Sequence, residues 1–238
     1  AKDMNGDTAQ AEAAGKEIGS VLSELGINVD FAPIADIHTN PENTVIGDRA
    51  YGTDAQTVSD MAAAFTKGLE SEGVSATAKH FPGHGDTGTD SHDGMAVSEH
   101  DLQRLQEVEF VPFRRLAEEG IDLMMVGHIT MPNVTDDGLP ASLSKEAIDS
   151  LREELDYEGI VITDAMNMGA IVEYYPDGEA AVKTVEAGVD IVLMPADLDD
   201  AYNSLCEAVQ TGEISENRLD ESVERILSLK YDKGMLVP

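Results

Sequence analysis

Five switches from a helical stripe to a short apolar segment, with chemically capable groups closing four of those segments, predict an α/β fold: a parallel sheet closed as a TIM-type (β/α) barrel. Alternation of this kind covers a parallel sheet with helices, as either a barrel or an open doubly wound sheet. The strand ends separate the two. Asp36, Lys79-His80, His128 and Asp164 stand at the carboxyl ends of four different segments. A barrel gathers its chemistry from many strand ends, whereas an open sheet concentrates it at one switch point.

Taken in order, Ala11, Ala14, Ile18, Leu22 and Leu25 keep helical spacing and stop at Gly26, a glycine C-cap. Ile27 to Asp36 then alternates as a strand does. Val58, Met61, Phe65 and Leu69 form the second helical stripe, closed by Gly73, and Val74 to His80 follows as a strand. Helices at Leu102 to Val108 and Phe113 to Glu119, parted near Pro112, lead into the strand Ile121 to His128. Ser144 caps the stripe Ile148, Leu151, Leu155, after which Gly159 opens the strand that ends at Asp164. Ala181 to Ala187 and Val189 to Met194 make the fifth unit, and helices at Asp200 to Gln210 and Glu216 to Lys230, the latter capped by Ser215, finish the chain. No repeat, linker or low-complexity tract divides residues 1–238, so one domain is expected.

A complete eight-unit barrel takes about 250 residues. The five visible strands therefore predict a barrel whose N-terminal strands are missing from this sequence or supplied by another chain, with an exposed edge able to self-associate. Fifteen Lys and Arg against 47 Asp and Glu give a formal charge of −32. Such a field repels phosphate backbones, which argues against nucleic acid as a partner. No apolar run reaches the length of a membrane span. Acidity of this degree fits an exported enzyme or a halophile's surface; eight Lys against seven Arg show no replacement of lysine, and the expectation leans to an extracellular or envelope enzyme. Cys206 is the sole cysteine, so no intrachain disulfide forms, and its apolar-periodic setting reads as a buried structural thiol.

The densest chemistry lies in AKHFPGHGDTGTDSH, Ala78 to His92, with three His, two Asp and a Lys in 15 residues. Its glycines and proline make it a loop over a strand mouth. His80 and His84 have the spacing of helical zinc ligands, but Phe-Pro-Gly between them breaks the helix that such a pair needs, so neither a metal nor another cofactor is expected. Asp90 and His92 read either as a dyad, in which the carboxylate sets the imidazole's tautomer and basicity, or as a solvated loop pair. Asp164, ending an apolar strand, reads as a nucleophile or general base, or as an N-cap for the next segment; Met166 and Met168 read as pocket wall or core. Arg49, on a loop rich in Gly, Pro and Asn, is a candidate substrate-binding fork.

The ordered segments NVDFAPIADI, NPENTVIGDRAYG, AKHFPGHGDTGTDSH, VGHI, LPASLS, GIVITDAMNMGAI, EAGVDIVLMP and LDESVERILSLK resemble the catalytic domain of glycoside hydrolase family 3, and within it the bacterial β-N-acetylglucosaminidases. The resemblance implies a retaining double displacement that removes terminal β-linked N-acetylglucosamine from peptidoglycan or amino-sugar glycans. It makes Asp164 the nucleophile and His92, oriented by Asp90, the proton shuttle in place of a second carboxylate. Arg49, Lys79 and His80 match positions that bind the sugar hydroxyls. Early barrel strands of the family, with a sugar-binding aspartate, have no counterpart in this sequence. Phosphorolysis by the same covalent route, a metal-dependent hydrolase built on the His cluster, and a non-catalytic sugar-binding fragment are the alternatives.

Overall fold

The computed structural model describes residues 1–88 and 96–236. Four strands, β1 (Val29–Asp30), β2 (Ser75–Phe81), β4 (Leu123–Val126) and β6 (Ile160–Thr163), form a parallel sheet in that spatial order. Beyond β6, Ile191 bridges Ile162 in parallel, so the sheet continues into the fifth predicted unit. A separate parallel pair joins β3 (Ala96–Val97) to β5 (Ile129–Thr130). The helices are α1 (Thr8–Glu24), α2 (Ala55–Glu70), α3 (Leu102–Glu107), α4 (Phe110–Glu118), α5 (Lys145–Leu155), α6 (Gly169–Val172), α7 (Asp177–Ala187), α8 (Leu198–Thr211) and α9 (Glu216–Asp232). Strand order along the main sheet follows chain order, as consecutive staves of a barrel do; an open sheet reverses at a switch point.

Both faces of the two central strands β4 and β6 are buried, which is why these two are almost wholly apolar, Leu-Met-Met-Val and Ile-Val-Ile-Thr. In β4, Met124 and Val126 pack with Phe113, Leu116 and Ile148 under the helices, while Leu123 and Met125 join Ile160, Ile162, Ile191 and Leu193 on the other side. Side chains alternate across a strand, so one tetrapeptide serves two cores. Phe81 stacks on Phe110 at 4.9 Å and meets Phe113 edge-on at 5.7 Å, anchoring the end of β2 against α4. Ser144 and Ser215 cap α5 and α9 as the sequence predicts, accepting from the N–H groups of Ala147 and Arg218.

Three elements differ from expectation. The predicted strand Ile27 to Asp36 is regular only over β1, because Pro33 has no N–H to give to a ladder. Its carbonyls still pair: Thr77 and Lys79 donate to Ala32 and Pro33, and the Ala35 N–H donates to Lys79. Pro112 lies inside the first turn of α4, where a missing N–H costs nothing; the helix break falls earlier, at Val108 and Glu109. Cys206 is half-buried, less enclosed than the buried thiol expected. No helix among the described residues is long and apolar enough to cross a membrane.

Candidate active site

Asp36, six residues beyond β1, is completely buried, yet it takes four hydrogen bonds from groups at and just after the end of β2. Its two oxygens accept the His80 N–H at 3.2 Å each, Oδ1 accepts the His84 N–H at 2.7 Å, and Oδ2 accepts from His80 Nδ1 at 2.8 Å. Burial pushes its carboxyl up, but His80 and the His84 side chain and N–H more than offset this, holding it below the usual carboxylate range. An ionised acceptor at Nδ1 places the His80 proton there and turns Nε2 toward the mouth. That nitrogen lies 3.8 Å from Oδ2 of Asp164, at the carboxyl end of β6.

Among the described residues, Asp164 is hydrogen-bonded at one oxygen only. Its Oδ1 accepts the Ala165 N–H at 2.8 Å, while Oδ2 faces His80. Burial raises its carboxyl, and His80, the Ala165 N–H, His128 and Lys79 together outweigh that effect, so it is held ionised below the usual range. Lys79, half-buried beside it, is shifted down by burial and by the neighbouring charge of Arg49. Arg49 itself is exposed in the short turn Gly47–Arg49, its Nη1 bonded to the Val45 carbonyl.

Two loops interlock beside this cluster. Asn43 donates to the carbonyls of His84 and Thr87 while its own Oδ1 accepts the Ile46 N–H, which ties the loop carrying Arg49 to the loop after β2. Gly85 is required by that contact: a Cβ there would stand 1.9 Å from the Ile37 carbonyl oxygen. Thr39 and His100 both bond to the carboxylate of Asp86. His84 Nδ1 is 2.6 Å from Thr87 Oγ1, and its ring meets His80 edge-on. Among the described residues no group of three or more His, Cys, Asp and Glu is placed to hold a metal ion.

The sequence-predicted residues Asp164, Lys79 and His80 therefore come together, with Arg49 close enough for its charge to act on Lys79. Asp90 and His92 lie outside the described residues. Met166 and Met168 are buried, as expected. Asp36 and Asn43 were not predicted as site residues. Asp36 was visible only as a polar strand end, and its partners lie 44 and 48 positions away, beyond any local spacing.

Residues 1–229 match the family described as Glycosyl hydrolase family 3 N terminal domain. The chain belongs to glycosyl hydrolase family 3. It is 38% identical over 233 residues to beta-hexosaminidase LpqI of Mycobacterium tuberculosis, which covers 93% of this chain and 58% of that protein. Beta-hexosaminidase A of Pseudoalteromonas piscicida is 34% identical over 244 residues, covering 94% of this chain and 40% of that protein. A solved glycoside hydrolase family 3 beta-N-acetylglucosaminidase from Paenibacillus sp. str. FPU-7 matches with a TM-score of 0.94 at 44% identity, over 97% of this chain and 44% of that one. The chain thus spans about half the length of the curated relatives it matches. Its fold is the TIM-type barrel of family 3, and the polar cluster lies where such barrels place their chemistry, at the carboxyl ends of the strands.

Proposed function

We propose that this family 3 domain carries the catalytic residues of a retaining β-N-acetylhexosaminidase acting on terminal β-linked N-acetylglucosamine in peptidoglycan fragments or amino-sugar glycans. The observation that carries the reading is the one-sided grip on Asp164: Oδ1 is occupied by the Ala165 N–H and Oδ2 faces the cluster at the strand ends. An ionised carboxylate with one oxygen not hydrogen-bonded among the described residues is ready to bond an anomeric carbon.

In the first half-reaction Asp164 Oδ2 forms a bond to the anomeric carbon as the bond to the leaving oxygen breaks, and His92 gives that oxygen its proton. In the second, His92, held by Asp90, takes a proton from water, whose oxygen displaces Asp164 and frees the sugar. Lys79 and Arg49 are donors for sugar hydroxyls, and His80 Nε2 is their partner beside the nucleophile.

A fluorinated N-acetylglucosaminide that traps glycosyl-enzymes tests this on the 238-residue chain. The expected result is one glycosyl adduct, mapped by mass spectrometry to the peptide containing Asp164. An adduct on another carboxylate, or turnover undiminished in Asp164→Asn, rejects the assignment. Added inorganic phosphate distinguishes the acceptor: glycosyl phosphate as product would replace hydrolysis by phosphorolysis.

A further inference from the structure

The turn that bears Asp164 is pinned at three consecutive residues. The Asp164 N–H donates to the Val126 carbonyl at 2.9 Å and the Met166 N–H to the Leu193 carbonyl at 2.8 Å. Between them, the Ala165 carbonyl accepts from Nε2 of His128 at 3.0 Å. The first two bonds are backbone ties to the adjoining strands. The third comes from a side chain that the proposed displacement leaves without a role.

His128 is wholly buried just beyond β4, and its Nδ1 lies 2.8 Å from Oγ of Ser142, itself wholly buried. A carbonyl oxygen can only accept, so Nε2 must carry the proton. In a neutral ring Nδ1 is then an acceptor, and the Ser142 hydroxyl fills it as donor. Burial favours this neutral form by shifting the ring's pKa down. Among the described residues, Asp164, His80 and His84 are the titratable groups whose charges reach the ring.

We propose that His128, held by Ser142 as its Nε2–H tautomer, is a positioning residue: it fixes Ala165 so that the Ala165 N–H grips Asp164 Oδ1 and leaves Oδ2 as the attacking oxygen. The consequence for catalysis rests on Asp164 being the nucleophile. Released from His128, Ala165 turns more freely, its N–H drifts from the carboxylate, and a donor that favours the charged form is weakened. Two effects result together. Asp164 titrates at higher pH, and its attacking oxygen loses a fixed direction. The shift is partial, because His80 and Lys79 at the end of β2 still face the carboxylate.

The test uses His128→Leu, His128→Gln and Ser142→Ala with two readouts. Carboxyl 13C NMR follows the Asp164 titration without substrate, and an aryl β-N-acetylglucosaminide gives kcat and KM across the acid limb. In His128→Leu the titration should move up and kcat fall on the order of 10- to 100-fold, the scale of losing precise orientation, with KM little changed. His128→Gln, whose amide N–H reaches the Nε2 position, should recover most of both. Ser142→Ala should fall between, because the ring is then free to take its other tautomer. A folded His128→Leu whose Asp164 titrates as in the parent chain overturns the proposal, as does an equal loss in the Leu and Gln variants, which signals packing alone. Should His128→Leu not fold, Ser142→Ala and His128→Gln decide: unchanged titration in the first rejects the proposal, and a shift in the first but not the second supports it. A titration shift without turnover in the parent chain supports the positioning role and rejects the hydrolase; turnover without a shift does the reverse.

Discussion

Asp164 and Asp190 are carboxylates on neighbouring units of one sheet, at opposite ends of the strands and held in opposite ways. Asp190, on the amino-terminal side, has both oxygens committed: Oδ1 to Ser222 and Arg225, Oδ2 to Arg152 and the Val161 N–H. Its side chain is fully buried, and Arg218 approaches at 3.9 Å. Asp164 has one oxygen bonded to the Ala165 N–H and one facing His80. A buried carboxylate saturated by partners ties elements together; one left half-saturated among histidines and lysine has capacity for a reacting atom. A cleft of about 1140 Å³ opens on the Asp190 side, lined by residues that include Asp122, Arg152, Gly159, Arg218 and Arg225. That cleft is roomy, but its arginines are already bonded to Asp190 and to backbone carbonyls. The strand-end chemistry lies on the other face.

Substitution at the two aspartates should break the comparison most sharply. Asp164→Asn is expected to remove at least about 10³-fold of turnover, as loss of a nucleophile does, while thermal unfolding stays close to the parent. Asp190→Ala leaves three guanidinium groups around an uncompensated void. It should cost about 3–5 kcal/mol in urea unfolding, the scale for breaking a buried ion pair by removing one partner. A stable Asp190→Ala, or a severely destabilised Asp164→Asn, would erase the distinction.

Asp36 combines both behaviours, since it is saturated like Asp190 and placed like Asp164. Asp36→Asn cannot accept at both positions, so the His80 tautomer and the loop holding His84 both loosen. The expected loss is about 10²-fold in kcat/KM, the scale of a misplaced site group, together with about 1–3 kcal/mol of stability from unmet buried hydrogen bonds. Activity lost at full stability would make Asp36 purely a site residue. Lys79→Met should act more narrowly. Removing a charged donor to a substrate hydroxyl costs about 1.5–3 kcal/mol, read chiefly as raised KM.

Much of this architecture was legible in the sequence alone. Five apolar segments at strand spacing, four of them closed by chemically capable groups, announced the barrel, and Asp164, Lys79 and His80 meet as their strand-end positions require. Other features depended on long-range contact. Nothing near Asp36 in sequence shows that His80 will bond to it, and Ser142 and Ala165 lie 14 and 37 positions from His128. Residues 189–194 keep the pattern of a strand, yet their regular ladder narrows to the bridge at Ile191, while Leu193 is tied instead to the Thr163 hydroxyl and the Met166 N–H. Periodicity reveals which residues face a core; it does not reveal which hydrogen bonds remain after the chain has curved.

Glu70 provides the smallest effect and a third kind of buried carboxylate. It ends α2, where the helix carbonyls already disfavour negative charge. Burial and the nearby Asp122 push its carboxyl up to about 7, only partly relieved by Lys233, which pairs with Asp122 at 2.6 Å. Its Oε1 is buried without a hydrogen-bond partner. A folded-state pKa above the unfolded one means the protonated form favours folding. That contribution is complete below the unfolded value, near 4.5, and disappears as pH rises through about 7. Glu70→Gln removes the penalty of ionisation and keeps the shape, so the variant should match the parent at low pH and exceed it at pH above 7. Discounted for partial exposure, the gain is on the order of 1 kcal/mol. Urea unfolding of both proteins on either side of that pH measures it. A gain that is the same at every pH would mean that the amide acts by a new hydrogen bond rather than by sparing a charge.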